Sequence, residues 1–286
     1  MSRRLKVACI QMNSGTRQAD NITAMHTMVR DAAARGAAYV QTPEMTGLLQ
    51  RDRAALFREI EPQQTCPVFA AAGDLSRELG IWLHVGSTAV RLGPEKAANR
   101  AALFAPDGSL AATYDKIHMF DVDLDNGESW RESAVYEAGK SVVMTSAAGA
   151  TLGLGICYDL RFSELFRLQA MAGAEILTTP AAFTRQTGEA HWHVLTRARA
   201  IENGAFVISA AQGGKHGDGR ETFGHSIVVD PWGRVVAELG NDMPGVLVCE
   251  IDLAQVKQAR AKIPNLANSR PLGAPVLTAE VGKGAA

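Results

Sequence analysis

The sequence GLGICYDLRF, residues 153–162, is a candidate strand that ends on a cysteine and then turns into a helix. The helical pattern begins at Ser163, a candidate N-cap, and continues to Gly173. A cysteine at such a corner lies near backbone N–H groups that can stabilise negative charge. Cys157 is therefore the first candidate nucleophile. The alternative is a buried cysteine that only packs.

A carboxylate occupies a comparable place earlier in the chain. Residues 7–10 predict an apolar strand, residues 20–34 have helical periodicity, and residues 38–42 predict a second strand that stops at Pro43 and Glu44. Ligand sites in open α/β sheets lie beyond the carboxyl ends of strands. Glu44 is thus a candidate functional residue, and the alternative is a solvated glutamate at a strand end.

Lys116 follows a third predicted strand, residues 109–115, and precedes a long irregular segment at 119–140. Loops of that length are usually functional or disordered, and the aromatic residues in this one favour an ordered loop. A thiol attacks as a thiolate, a carboxylate can accept its proton, and a lysine can offset the charge that develops. Glu44, Lys116 and Cys157 would suffice for acyl transfer, with coincidence as the alternative.

Composition excludes several classes of partner. The 286 residues are 47% hydrophobic and 21% charged, with a net charge of -1 and no basic block, so we expect neither nucleic acid nor a membrane surface as a partner. The four cysteines are far apart and form no CxxC pair, which predicts reduced thiols in a cytoplasmic protein. The sequence begins without a signal-peptide pattern and has no apolar run long enough to span a bilayer. Alternating βα units mixed with hairpins predict an α/β fold with mixed sheets.

Three segments in this order resemble the signature segments of the nitrilase superfamily of carbon–nitrogen hydrolases: Thr42-Pro43-Glu44, Tyr114-Asp115-Lys116-Ile117-His118, and residues 155–162. The resemblance extends to about Pro271, which predicts one hydrolase domain at 1–271 and a C-terminal tail at 272–286. Further segments resemble its Nit branch: Ala190-His191-Trp192, residues 197–202, residues 210–212 and residues 224–233.

The resemblance implies a four-layer αββα sandwich that pairs into homodimers or higher homo-oligomers through the helix after the nucleophile and a neighbouring helix. It also implies that a small carboxylate-bearing amide, deaminated glutathione-like or an omega-amide, is hydrolysed through a cysteine thioester with release of ammonia. Neither a metal nor an organic cofactor is implied. The alternatives are an N-carbamoyl-amide hydrolase, a nitrile hydrolase, or a non-catalytic interaction protein with the same fold.

The resemblance assigns roles residue by residue. Cys157 attacks the carbonyl and Glu44 transfers protons, while Lys116 and the backbone N–H of Tyr158 stabilise the oxyanion. A further glutamate of the family matches Glu132, with Glu128 as the second choice. Phe183 and Thr187 would line the substrate pocket.

Two local patterns bear on the remaining alternatives. Nitrilases usually carry Trp-Glu after the cysteine, whereas Tyr158-Asp159 here fits an amidase; we expect Asp159 and Arg161 to brace the turn and the dimer contact. Acidic residues at 121, 123 and 125 imitate a calcium loop, but its sixth position is Asn126 instead of glycine, which argues against calcium.

Overall fold

Two six-stranded sheets pack face to face, and helices cover both outer sides. The structure is a computed structural model that describes residues 3–124, 127 and 129–275. The strands are β1 (Arg4–Gln11), β2 (Tyr39–Gln41), β3 (Trp82–Arg91), β4 (Ala97–Phe104), β5 (Leu110–Asp115), β6 (Asp121–Asp123), β7 (Ser129–Arg131), β8 (Met144–Ala147), β9 (Ala150–Leu154), β10 (Ile176–Thr178), β11 (Phe206–Ser209), β12 (Gly213–Lys215), β13 (Glu221–Phe223), β14 (Ile227–Val229), β15 (Val235–Glu238) and β16 (Gly245–Asp252). The α-helices are α1 (Gln18–Ala34), α2 (Arg53–Glu59), α3 (Pro67–Leu79), α4 (Ser163–Met171), α5 (Arg185–Asn203) and α6 (Ala254–Lys262).

The first sheet has the strand order β16-β1-β2-β3-β4-β5. β2 lies between β1 and β3 and is parallel to both, and the remaining pairs are antiparallel. Side chains alternate across β1, as the two-residue period of a strand requires. Val7 and Cys9 face the second sheet, whereas Ala8 and Ile10 pack with the buried side chains of α1 and α3. The apolar run at the start of the chain is therefore buried on both faces.

The second sheet has the order β15-β14-β11-β10-β9-β8, with α4 and α5 against its outer face. Leu165 and Phe166 of α4 and Trp192 of α5 belong to the same apolar cluster as the strands of both sheets. The layers are thus helix, sheet, sheet, helix. This arrangement confirms the αββα sandwich.

The turn into α4 differs from the expectation that Ser163 caps the helix. Ser163 is the first helical residue, and Phe162 occupies the N-cap position without a side-chain hydrogen bond to the helix. The prediction was wrong because the chain first forms a 3-10 helix at Cys157–Arg161, which already turns the backbone.

The seam between the sheets is held by hydrogen bonds near the carboxyl ends of the central strands. The side-chain oxygen of Gln41 accepts a hydrogen bond from the backbone N–H of Ala210 at 2.8 Å. The side-chain amide of Gln212 donates one to the backbone carbonyl of Glu44 at 3.0 Å. The chain also passes closely at Gly86, where a Cβ atom would lie 2.1 Å from the Thr42 carbonyl oxygen. Only glycine fits there, so the approach of these strand ends is fixed by sequence.

None of the helices in the described part of the chain has the length and apolar character needed to cross a membrane. The division into a domain at 1–271 and a tail at 272–286 stays a prediction, because residues 276–286 lie outside the described part.

Candidate active site

A buried ammonium group lies between two carboxylates. Lys116 directly follows β5, and its Nζ donates to Glu44 Oε1 at 2.9 Å and to Glu132 Oε1 and Oε2 at 3.0 and 2.8 Å. The side chains of Lys116, Glu44 and Glu132 are 2%, 5% and 11% exposed. Buried charges of this kind persist only when they are paired, so each group of the trio depends on the others.

Asn99 is the fourth member of this network. From β4, its side-chain amide donates to Glu44 Oε1 at 2.9 Å and to Glu132 Oε1 at 3.0 Å. The backbone N–H of Phe120 donates to Glu132 Oε2 at 2.7 Å. Two carboxylates and one ammonium leave a net charge of -1, and these neutral donors help to stabilise it.

Cys157 sits at the start of the 3-10 helix with a φ of +47°. A non-glycine residue in this left-handed region is strained, and such strain persists where the surrounding structure enforces it. The Cys157 N–H donates to the carbonyl of Pro180 at 2.9 Å. Tyr158 follows in the first turn, where N–H groups have no acceptor within the helix.

Asp159 fixes the turn that carries the cysteine. Its fully buried carboxylate accepts hydrogen bonds from the Tyr114 hydroxyl at 2.7 Å, the Ile156 N–H at 2.9 Å and the His118 N–H at 3.0 Å. The expected bracing role of Asp159 therefore agrees with its contacts. His118 also stacks on Phe162, with ring centroids 3.5 Å apart, so it belongs to the support of the turn.

Burial and the neighbouring charges keep both Cys157 and Lys116 protonated. Burial, followed by the negative charge of Glu44, raises the pKa of the Cys157 thiol well above its usual value, although Lys116 acts in the other direction. Burial alone would lower the pKa of Lys116, but Glu132 and Glu44 together raise it well above its usual value. The site therefore holds a neutral thiol beside a charged ammonium at neutral pH.

These groups open into a cavity of about 220 Å³. Glu44, Lys116, Glu132 and Cys157 contribute to its lining, and so do the predicted pocket residues Phe183 and Thr187. Tyr158 and Phe120 add further aromatic surface. The structure thus brings together the four side chains predicted from sequence. Glu128, the second choice for the further glutamate, lies outside the described residues.

The comparison with protein families agrees with this arrangement. A model described as carbon–nitrogen hydrolase matches residues 6–261, which is most of the chain. The chain belongs to the carbon–nitrogen hydrolase family.

Several relatives resemble this carbon–nitrogen hydrolase over nearly its full length. A deaminated glutathione amidase of Yersinia enterocolitica is 38% identical over 267 residues, covering 92% of this chain and 92% of the relative. An omega-amidase of Danio rerio is 33% identical, covering 91% of this chain and 93% of the relative. The structure of the C. elegans NitFhit protein is similar with a TM-score of 0.86 and 33% identity, covering 94% of this chain but 66% of that longer chain.

One contribution to the site was missed from sequence, and another residue has a position that was not expected. Asn99 was not singled out, because an asparagine within a predicted strand matches no motif. Arg161, expected to brace the turn and a dimer contact, ends the 3-10 helix of the turn and lies 3.2 Å from His191 of α5. It also lines the cavity, with its guanidinium carbon 5.3 Å from the centre of the Phe183 ring. Its position four residues after the cysteine, on a turn facing the cavity, is the signal that was available.

The calcium-like pattern has a different use in this hydrolase. Asp121 and Asp123 lie on β6, where Asp121 accepts hydrogen bonds from Ser133 and Asp123 pairs with Arg131 at 2.8 Å. Residues 125 and 126 lie outside the described part. Among the residues that are described, no group of three or more His, Cys, Asp or Glu side chains is arranged to hold a metal ion.

Asn99→Asp would replace the amide that both glutamates share with a third carboxylate. We expect kcat to fall about 100-fold and the free energy of unfolding to fall by about 2–4 kcal/mol at neutral pH, because the like charges are buried together. Activity should partly recover as the pH falls and the added carboxyl group takes up a proton. Steady-state kinetics and denaturant unfolding across pH measure both effects. Asn268→Asp, at an exposed position, is the control; equal behaviour of the two variants would contradict the prediction.

Proposed function

We propose that the chain hydrolyses the C–N bond of a small carboxylate-bearing amide through a thioester on Cys157. The observation that carries this proposal is the position of the buried thiol beside a carboxylate and an ammonium in one cavity. The names of the relatives, deaminated glutathione amidase and omega-amidase, support an amide as the substrate.

The first step joins sulfur to carbon. The hydrogen bonds from Lys116 and Asn99 both end on Glu44 Oε1, so Oε2 is the oxygen left to receive the thiol proton. As Glu44 takes this proton, the sulfur attacks the amide carbon and the carbonyl π electrons move to oxygen. The Lys116 ammonium and the Tyr158 N–H stabilise that oxyanion.

The tetrahedral intermediate then collapses with loss of the amine. The C–N bond breaks, Glu44 returns its proton to the leaving nitrogen, and an acyl thioester remains on Cys157. A water molecule next gives a proton to Glu44 and attacks the thioester carbon, after which the C–S bond breaks and the thiol recovers its proton. The amine is ammonia for a primary amide, and a larger amine for an N-substituted amide.

Glu132 acts through Lys116 in this proposal. Both of its carboxylate oxygens accept from Nζ, and one of them also accepts from the Phe120 N–H. Glu132 thereby fixes the position of the ammonium and keeps it charged. The reaction itself needs no metal ion or organic cofactor, since every proton transfer is assigned to a side chain of the chain.

A panel of amides tests the proposal. Wild-type protein is incubated with deaminated glutathione, alpha-ketoglutaramate and simple omega-amides, and the carboxylic acid product is quantified, because only primary amides release ammonia. We expect at least one of these to be hydrolysed well above the rate in buffer. Product formation at the buffer rate across the panel would make the proposal wrong and leave the alternatives: an N-carbamoyl-amide hydrolase, a nitrile hydrolase or a non-catalytic interaction protein.

Mass spectrometry of Cys157 distinguishes an amidase from the related hydrolases. An amide leaves an acyl group on sulfur, an N-carbamoyl amide leaves a carbamoyl group, and a nitrile first leaves a thioimidate. We expect the acyl adduct, and detection of a different adduct as the species that turns over would assign the alternative activity.

We also propose that two copies pair through α4 and α5 and that the protein is cytoplasmic. Leu168 and Met171 on α4 and Val194 and Ile201 on α5 are all more than half exposed, and apolar patches of this kind favour association. The four cysteines are all free thiols, as is usual in a reducing compartment.

Leu168→Asp should shift the proposed dimer to monomer, because it places a charge in the middle of an apolar contact. Sedimentation velocity measures the change. Leu272→Asp, at a leucine that is more exposed (93% against 59% for Leu168) and lies outside both helices, should leave the dimer intact. A monomeric wild-type protein would count against the pairing.

A further inference from the structure

Two arginines share one tryptophan ring at the cavity. The guanidinium carbons of Arg51 and Arg220 lie 4.6 and 4.4 Å from the centre of the Trp130 ring. The three residues come from the segment before α2, from β7 and from the turn between β12 and β13. All three line the same cavity as Cys157. Three segments that are distant in the chain therefore meet here, and they hold two guanidinium groups at the same part of the cavity lining.

The two arginines retain unused donors. Arg51 is exposed, bonds only weakly to the Ser129 carbonyl at 3.4 Å, and has no carboxylate within 4.0 Å in the described part of the chain. Arg220 is 18% exposed; its nearest carboxylate is that of Asp218, at 3.6 Å, and its Nε is buried with no hydrogen-bond partner among the described residues. By contrast, Arg131, which also lines the cavity, is bonded to both oxygens of Asp123.

This pair is suited to a carboxylate. A guanidinium binds a carboxylate through two parallel hydrogen bonds, and stacking on an aromatic ring holds its plane in place. Holding the side chains before binding lowers the conformational entropy lost when the ligand arrives. The floor of the cavity has a net charge of -1 from Glu44, Glu132 and Lys116, so an anionic group is favoured near the arginines and disfavoured at the floor.

We propose that Arg51, Trp130 and Arg220 form an anion subsite that binds a carboxylate on the leaving-amine side of an elongated amide. The acyl part stays attached to Cys157 while the amine departs, and the exposed Arg51 places this subsite on the side of the cavity that opens to solvent. Deaminated glutathione has a 2-oxo acid carboxylate on the acyl side and a glycyl carboxylate on the amine side. A primary omega-amide has no carboxylate on the amine side. The inference rests on the proposed amidase function.

The test compares two substrates that differ only in the distal charge: deaminated glutathione and its analogue in which the glycyl carboxylate is a neutral carboxamide. For the wild-type protein, kcat/KM should be about tenfold higher with the charged substrate. Arg51→Gln should remove this preference mainly through KM, so that the ratio of kcat/KM between the charged substrate and the neutral analogue falls to about one. Arg51→Lys, which keeps the charge, should restore part of the preference.

Two further variants complete the test. Arg220→Gln should reproduce the loss of preference. Arg58→Gln removes an exposed charge from α2 that does not line the cavity, so the preference should remain. Equal kcat/KM for both substrates in the wild-type protein, or an equal loss on both in Arg51→Gln, would overturn the subsite while leaving the amidase proposal intact. If the wild-type protein hydrolyses no amide, the amidase proposal and the subsite both fall.

Discussion

Replacing Cys157 with alanine should lower kcat for amide hydrolysis by at least about four orders of magnitude, because no other group can form the covalent intermediate. The variant should still fold. Alanine removes only the sulfur, and we expect the free energy of unfolding to change by about 1 kcal/mol. The variant therefore tests the catalytic role of the thiol with little change in the free energy of unfolding.

The measurement combines product formation under substrate saturation with denaturant unfolding. Cys66→Ala is the matched control, since Cys66 is also a buried free thiol but does not line the cavity. It should retain near wild-type kcat. A Cys157→Ala enzyme that remains within tenfold of wild type would mean that the thiol is not the nucleophile.

Lys116→Met should have the largest effect on stability. Removing the ammonium leaves the Glu44 and Glu132 carboxylates buried beside each other without a counter-charge, and breaking a buried pair in this way costs about 3–5 kcal/mol. Loss of the oxyanion partner should also lower kcat by at least about 1,000-fold. Methionine is apolar and similar in length, so the change removes the charge with little loss of packing.

The loss of stability in Lys116→Met should depend on pH in a defined direction. Without Lys116, repulsion and burial should raise the pKa of a carboxyl group in the folded variant above its unfolded value, so the folded state binds more protons. The stability deficit is then greatest above that raised pKa and narrows as the pH falls through it. In the wild-type protein, the raised pKa of Lys116 contributes stability that is present below the unfolded pKa of lysine and is lost as the pH rises through the folded value.

Denaturant unfolding at several pH values between 5 and 8 measures the deficit. Lys257→Met, on the exposed side of α6, is the control and should show no such pH-dependent deficit. A Lys116→Met deficit that does not change with pH would show that lost packing, instead of unbalanced charge, causes the destabilisation.

The fold class and three of the charged or nucleophilic residues were predictable because their signals are local, whereas Glu132 was assigned through the family resemblance. A strand pattern followed by a motif residue can be read from a short window, as for Glu44, Lys116 and Cys157. Only the predicted strand ends needed correction. Glu44 lies three residues beyond the end of β2 and Cys157 three residues beyond the end of β9, whereas Lys116 directly follows β5. For the described residues of the long segment at 119–140, the expectation of an ordered loop agrees with the structure, which has β6, β7 and a 3-10 helix at Glu132–Ala134 there.

Asn99 and the arginines could not be found this way because their roles depend on register and loop packing. The backbone of Lys116 donates to the Asn99 carbonyl at 3.0 Å across β4 and β5, and this pairing, which no single segment encodes, carries the Asn99 amide to the two glutamates. Arg51 and Arg220 lie in loops, where an arginine in sequence is indistinguishable from a solvated one. The structure shows that the two arginines converge, because both guanidinium groups lie over the ring of Trp130.

The seam between the two sheets passes through the proposed reaction centre. Glu44, Asn99 and Lys116 are carried by the first sheet, whereas Cys157 belongs to the second, and the first sheet is completed by β16 from the end of the fold. Neither half of the chain can therefore assemble a working centre by itself. Catalytic activity therefore reports on the association of the two halves. Two separately expressed fragments should be active only when they are combined. Removal of the Gln41 and Gln212 hydrogen bonds between the sheets should abolish activity under conditions in which both sheets are still folded.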